Sequence, residues 1–352
     1  MKRQRIRDLG YEPGDLETGR CNAITDVEGV GVGHATVIEG DDIRTGVTAI
    51  TPHGGNLYED TVPAAVDILN GYGKTVGLSQ VLFEGRIETP IMLTETLNTY
   101  RVADAVIDYY PDIMGDKIHT INSLVGETNG SYLTNNFVRA VTKEHVYEAI
   151  EVARKGSGRP EEGSVGAGTP MTGYGFKGGI GTSSRRVGAA TVGVLVQLNC
   201  GRKEDLTILG VPVGKKVELP SESEKSPGNS IMMIVATDVD METRQLWKLA
   251  KRTTLGLART GAYSSNGSGD YTISFTTKGV SQQDYLDSME IGTLRTDGYL
   301  SPLYKGVVES TEEAIINALF MAETMTGYRG NTRQALPLDQ TLSVLDWFHG
   351  DK

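Results

Sequence analysis

Ser230 stands at a boundary that could make it a nucleophile. Before it, Val217 to Asn229 is charged, rich in Ser and Pro and without hydrophobic period, so 215–229 reads as a polar linker. After it, Ile231 to Ala236 is a continuous apolar run, which reads as a strand buried on both faces. A hydroxyl at such a junction can attack the carbonyl that precedes it. Hydrolysis of the resulting ester would break the Asn229–Ser230 bond and leave Ser230 as a new N-terminus, with nucleophile and amine on one residue. The plain alternative is a serine that merely opens a strand.

Four other residues are placed to support such chemistry. Ser268 and Asp270, in Asn266-Gly267-Ser268-Gly269-Asp270, put a hydroxyl and a carboxylate two residues apart before the alternating strand that starts at Tyr271. They could polarise a nearby amine or serine, or form an ordinary Asx-type turn. Asn199 ends the run Val192 to Leu198, and an amide there could donate to an oxyanion. Glu127 ends another apolar run, in Val125-Gly126-Glu127-Thr128-Asn129-Gly130, and could anchor a substrate ammonium by a charge-assisted bond. With Asn129 beside it, it forms the candidate substrate-binding pair.

One motif points elsewhere. Gly173-Tyr174-Gly175-Phe176-Lys177-Gly178 fits the dinucleotide fingerprint G-x-G-x-x-G, which needs a helix N-terminus directly after it. Gly179 to Arg186 is poor helix material, so a glycine-lined turn packed under the site is the expected role. No nucleotide or other cofactor is expected.

Composition narrows the field. The 352 residues carry a net charge of −11 with no long basic run, which argues against nucleic acid as a partner and for substrate amines. No apolar stretch reaches membrane-spanning length, and the basic start at Met1 to Arg7 has no apolar segment behind it, so neither a span nor a secretory signal is expected. Cys21 and Cys200 suit free thiols in a reducing, cytoplasmic compartment. None of the five histidines sits at ligand spacing, so no metal site is expected, and a Ser–His–Asp triad has few candidates.

The elements that must position these residues alternate short strands with helices. Strands are expected at 47–50, 91–93, 118–124, 189–198, 206–213, 231–236 and 271–276. Helices are expected at Pro63 to Leu69, stopped by Asn70-Gly71, at Thr142 to Lys155, at Glu242 to Arg259, and from the capping box Ser310-Thr311-Glu312-Glu313 to Thr326. Strands on both sides of the linker argue for one layered α/β domain over 1–352.

Taken in order, the motifs resemble the DmpA-type family of self-processing aminopeptidases, which includes L-aminopeptidase/D-amidase-esterases and β-peptidyl aminopeptidases. The resemblance rests on Thr25 to His34, Gly166-Ala167-Gly168-Thr169, Gly175 to Arg185, Val194-Leu195-Val196-Gln197 with Asn199, Asn229-Ser230 and Asn266 to Asp270. It implies an αββα sandwich like that of N-terminal-nucleophile hydrolases, with different connectivity. It also implies cleavage into 1–229 and 230–352, which stay associated, and assembly as a tetramer of such units. Ser230 falls on the nucleophile, Ser268 and Asp270 on its support, Asn199 on the oxyanion position and Glu127 on the position that binds the substrate's free amine.

Two departures bear on substrate preference. Some members carry Glu where this chain has Asp270, and Glu95 in Leu93-Thr94-Glu95-Thr96 stands where Asn is expected. The competing readings are an acyltransferase of related self-processing architecture and a binding module without turnover.

Overall fold

The computed structural model describes residues 2–114, 118–156, 158–219, 230–290 and 297–350. The strands of the first half are β1 (Gly31–Glu39), β2 (Ile43–Thr51), β3 (Val62–Gly71), β4 (Arg86–Ile87), β5 (Ile91–Glu95) and β6 (Leu124–Thr128), with helices α1 (Leu78–Glu84), α2 (Thr99–Met114) and α3 (Lys143–Lys155). Then come β7 (Thr172–Gly173), β8 (Phe176–Lys177), β9 (Gly179–Val187) and β10 (Ala190–Asn199). After Ser230 follow β11 (Ser230–Val239), α4 (Thr243–Ala250), α5 (Thr253–Arg259), β12 (Gly269–Val280), α6 (Gln282–Ser288) and α7 (Ser301–Met321). The chain closes with β13 (Met325–Thr326), β14 (Thr332–Arg333) and α8 (Leu338–His349).

Two sheets dominate, ordered β1-β2-β5-β6 and β4-β3-β12-β11-β10-β9. Their stacking follows from the side-chain alternation of β11. Ile231, Met233 and Val235 pack into a core shared with Leu246, Leu257 and Ile315 of α4, α5 and α7. Met232, Ile234 and Ala236 point the other way, against Ile91, Leu93 and Leu124 of the smaller sheet. That sheet's outer face, with Val47, Met92 and Val125, is covered by α2 and α3 through Val106, Val146 and Ile150. The layers are therefore helix, sheet, sheet, helix, as expected. Both parallel pairs, β5–β6 and β11–β12, require a crossover, supplied by α2 in one case and by α4 with α5 in the other.

This stacking gathers strand ends. Asn199 at the close of β10 is opposite Ser230 at the start of β11, and Ile231 is opposite Asp270 at the start of β12. The turn after β6 reaches the same place, because the Asn129 carbonyl accepts from Asn199.

Several sequence expectations need correction. Pro63 to Leu69 is strand, not helix: β3 pairs with β12 from Ala64 to Gly71, and Pro63 lies beyond that ladder, where its missing N–H costs nothing there. Tertiary pairing overrides the local helical pattern. Ser310 to Glu313 opens no helix but lies mid-way along α7, which ends at Met321. The acidic residues there are buried because Arg185 holds Glu309 (3.1 Å) and Glu313 (2.7 Å). Residues 206–213 contain one bridge, Ile208 to Val211, around the Leu209-Gly210 reversal rather than a strand. The helix over 242–259 is broken in two at Lys251-Arg252, and the strand placed at 118–124 begins only at Leu124.

The fingerprint-like glycines form a hairpin. Thr172 pairs with Lys177 and Gly173 with Phe176, and Tyr174 and Gly175 both take the left-handed backbone (φ 52° and 74°) that a tight two-residue loop requires. A strand, β9, follows. With no helix N-terminus there, the turn cannot cradle a pyrophosphate as the fingerprint does.

Candidate active site

The half-buried Ser230 accepts through Oγ the backbone N–H of Gly269 at 3.0 Å. The neighbouring Ser268 and Asp270 are buried, and the Ser268 hydroxyl donates to Asp270 Oδ2 at 2.5 Å. Burial raises the Asp270 carboxyl above the ordinary aspartate value, while hydrogen bonds from Ser268 and Asn70 pull it back. The spacing that looked like an Asx turn therefore aims a hydroxyl–carboxylate pair at the start of β11. No histidine supplies a hydrogen bond to Ser230, Ser268 or Asp270 among the described residues.

Opposite Ser230, the Asn199 side chain is fixed at both ends. Its Oδ1 accepts the Thr172 N–H at 2.8 Å, and its Nδ2 donates to the Asn129 carbonyl at 3.0 Å. A backbone N–H can only donate, so the amide orientation is settled, and one Nδ2 hydrogen remains. The hairpin that holds Thr172 thus orients a donor beside Ser230. Asn129 is exposed, and its Oδ1 is taken by the Ser131 N–H (2.9 Å) and by Asn136 (3.3 Å). Its main-chain carbonyl is what reaches the site.

Glu127 is buried at the end of β6, where its Oε1 accepts the Lys74 N–H at 2.8 Å. The segment carrying Lys74 comes close only because residue 73 is glycine. A Cβ there would stand 2.8 Å from the Tyr271 hydroxyl and 3.1 Å from Glu127 Oε1. Burial, then the Glu127 charge, raises the Tyr271 hydroxyl above the ordinary tyrosine value. Glu95 is fully buried beside the Asn129-Gly130 turn. Its Oε2 accepts from Asn98 at 3.1 Å, and its Oε1 has no hydrogen-bond partner among the described residues. Burial pushes its carboxyl up to about 8, with the Glu127 charge adding to the rise.

Ser230, Ser268, Asp270, Asn199 and Glu127 are thus brought to one end of the two sheets, while Asn229 lies outside the described residues, as does 220–229 of the linker. Asn70, the Lys74 backbone and Tyr271 also border these residues, and the sequence alone does not single them out. Reading β3 as a helix made Asn70 a stop signal. Only the pairing of β3 with β12 reveals it as a neighbour of Asp270.

The model of peptidase family S58 matches residues 22–333. The chain belongs to peptidase family S58. A β-peptidyl aminopeptidase from Sphingosinicella xenopeptidilytica is 36% identical to this S58 peptidase, over 97% of its chain and 90% of the relative's. A solved structure of a protein from Pyrococcus horikoshii OT3 matches it with TM-score 0.86 and 43% identity, covering 98% of this chain and 99% of that one. The L-aminopeptidase D-Ala-esterase/amidase of Ochrobactrum anthropi matches with TM-score 0.84 and 34% identity over the same shares. It is described as a prototype for the serine aminopeptidases and a variant of the Ntn hydrolase fold. The S58 peptidase shares that fold and is a hydrolase of the aminopeptidase and amidase type. Acyl transfer, the competing reading, is not favoured.

Proposed function

We propose that Ser230 is the nucleophile of an aminopeptidase that activates itself by breaking the Asn229–Ser230 bond. One domain becomes two associated segments, 1–229 and 230–352. In the intact chain the Ser230 nitrogen belongs to a peptide bond and has no basic lone pair. After cleavage it is an α-amine, whose ordinary value of about 7.7–8.0 suits a general base at neutral pH. The amine takes the Oγ proton, directly or through Ser268, as Oγ attacks the substrate carbonyl. The Asn199 amide stabilises the oxyanion, the leaving amine departs protonated, and water then releases the acyl group from Ser230.

Glu127, with Asn129 beside it, binds the substrate's free amine and restricts cleavage to the N-terminal residue of small peptides or aminoacyl amides. Assembly as a tetramer of processed units and a cytoplasmic location complete the reading. They rest on the family resemblance and on the free thiols of Cys21 and Cys200.

The observation that carries this proposal is the Gly269 N–H bonded to Ser230 Oγ between the paired Ser268 and Asp270, with Asn199 opposite Ser230 in the strand register. Denaturing mass spectrometry should find fragments 1–229 and 230–352, and Ser230→Ala should abolish both cleavage and aminoacyl p-nitroanilide hydrolysis. An intact chain that turns over substrate would sink the self-cleavage claim.

A further inference from the structure

Asn70 is the last residue but one of β3, and its placement depends on an irregularity in the β3–β12 ladder. Tyr271 pairs with Ile68, yet Asp270 pairs with Asn70, so Leu69 is an extra residue on β3. Without that bulge Leu69, not Asn70, would stand opposite Asp270. Bulges of this kind re-aim side chains and occur next to active sites.

The Asn70 amide has a single consistent orientation. Its Nδ2 lies 2.8 Å from the Ser264 carbonyl oxygen, which can only accept, so nitrogen and not oxygen faces inward. The same Nδ2 is 2.8 Å from Ser268 Oγ and 3.4 Å from Asp270 Oδ2. Ser268 Oγ therefore receives a hydrogen bond from Asn70 while it donates its only proton to Asp270. One lone pair on Ser268 Oγ stays free. A serine lacking the Asn70 donor could instead rotate and direct its proton at the Ser230 amine, occupying the lone pair that the base needs.

We propose that Asn70 is a positioning residue for the hydrolysis, committing the Ser268 proton to Asp270 so that the Ser268 hydroxyl meets the Ser230 amine as an acceptor. This rests on the role given above to Ser230 and on the direct route, in which the amine takes the Oγ proton without a relay and Ser268 supports the amine. It also separates two functions carried by one stretch of chain. Asn70 serves the nucleophile through its side chain, whereas Lys74, four residues on, holds Glu127 through its backbone N–H. Loss of the Asn70 side chain should therefore affect turnover and not amine binding.

The test is a double-mutant cycle on the full-length protein with Asn70→Ala and Ser268→Ala. It is read as kcat and KM per cleaved molecule on an aminoacyl p-nitroanilide. Asn70→Ala should lower kcat about 10- to 100-fold, the range of a hydrogen bond within a charged network, with KM changed less than about twofold. In the Ser268→Ala background it should cost nothing more. Asn70→Asp keeps the volume, removes the donor and adds a charge. It should lower kcat similarly and move the acid limb of the kcat/KM profile up by about one pH unit.

Full kcat in Asn70→Ala, an equal loss with and without Ser268, or a native pH profile in Asn70→Asp would overturn the assignment. If Ser268→Ala alone kept native kcat, the underlying role of Ser268 would fall instead. The two failures are thus distinguishable.

Discussion

Asn199 and Ser230 are direct partners across the antiparallel β10–β11 pair. Partners in such a pair project to the same face with Cβ atoms about 5 Å apart, so the Asn199 amide and the Ser230 hydroxyl are matched by strand register alone. Replacing Asn199 with Ala should lower kcat by about 10²- to 10³-fold, the usual cost of one oxyanion donor, with a smaller change in KM. Stopped-flow or steady-state kinetics on a chromogenic amide would measure it. A loss below about fivefold would remove Asn199 from the oxyanion site.

Glu127 should matter only to substrates that carry an amine. Glu127→Gln keeps the acceptor for Lys74 N–H but removes the charge. We expect kcat/KM to fall by roughly 10- to 100-fold for free-amine substrates, in line with a charge-assisted bond. An N-acetylated amide, already poor, should be cleaved no worse than before. Equal losses on both substrates would contradict amine recognition.

The pH dependence of activity has a defined sign. The Ser230 amine must be neutral to act as base, so kcat/KM should rise with pH through about 7–8. The profile of the free enzyme on a neutral-blocked and a free-amine substrate would show the rise in both. An activity already flat between pH 5 and 8 would exclude the α-amine as the base.

Glu95 gives a pH dependence of stability instead. Its folded-state carboxyl is pushed up to about 8, by burial first, so the folded protein holds a proton that the unfolded chain releases in the ordinary glutamate range. Stability should therefore decline as pH rises from about 4.5 toward 8. Glu95→Gln, which cannot ionise, should be more stable than the parent by a margin that grows over this interval to a few kcal/mol at most, taking about 1.4 kcal/mol per pH unit as the ceiling. Denaturant midpoints at pH 5, 6.5 and 8 would test it. A margin independent of pH would show that Glu95 carries no extra proton in the folded state.

The layered fold was legible because β11 reads without ambiguity: six consecutive apolar residues can only be satisfied by burial on both faces. Glu127 and Asn199 are legible as polar residues at the ends of apolar runs, and Ser268 with Asp270 as a polar pair just before the alternating strand at Tyr271. What escaped was set by tertiary contacts. Pro63 to Leu69 has a helical pattern and lacks any local sign of its partner β12, so in the sequence Asn70 is mere punctuation. Glu309 and Glu313 look solvent-facing until Arg185, more than a hundred residues earlier, supplies their counter-charge. The turn within Thr172 to Lys177 is legible because its flanks refuse a helix.

The position of β11 and β12 has a consequence beyond catalysis. Both are interior strands, with β10 and β9 on one side and β3 and β4 on the other. If the chain breaks before Ser230, the inner pair belongs to one fragment and all four outer strands to the other. A sheet that one polymer closed by itself would then need two polymers to meet. Folding from the denatured state would become second order in concentration, with the long-range ladders as its slowest part. Native purification should keep the fragments together, while dilution after denaturation should strand them apart. The molecule would be assembled once, before its own cut.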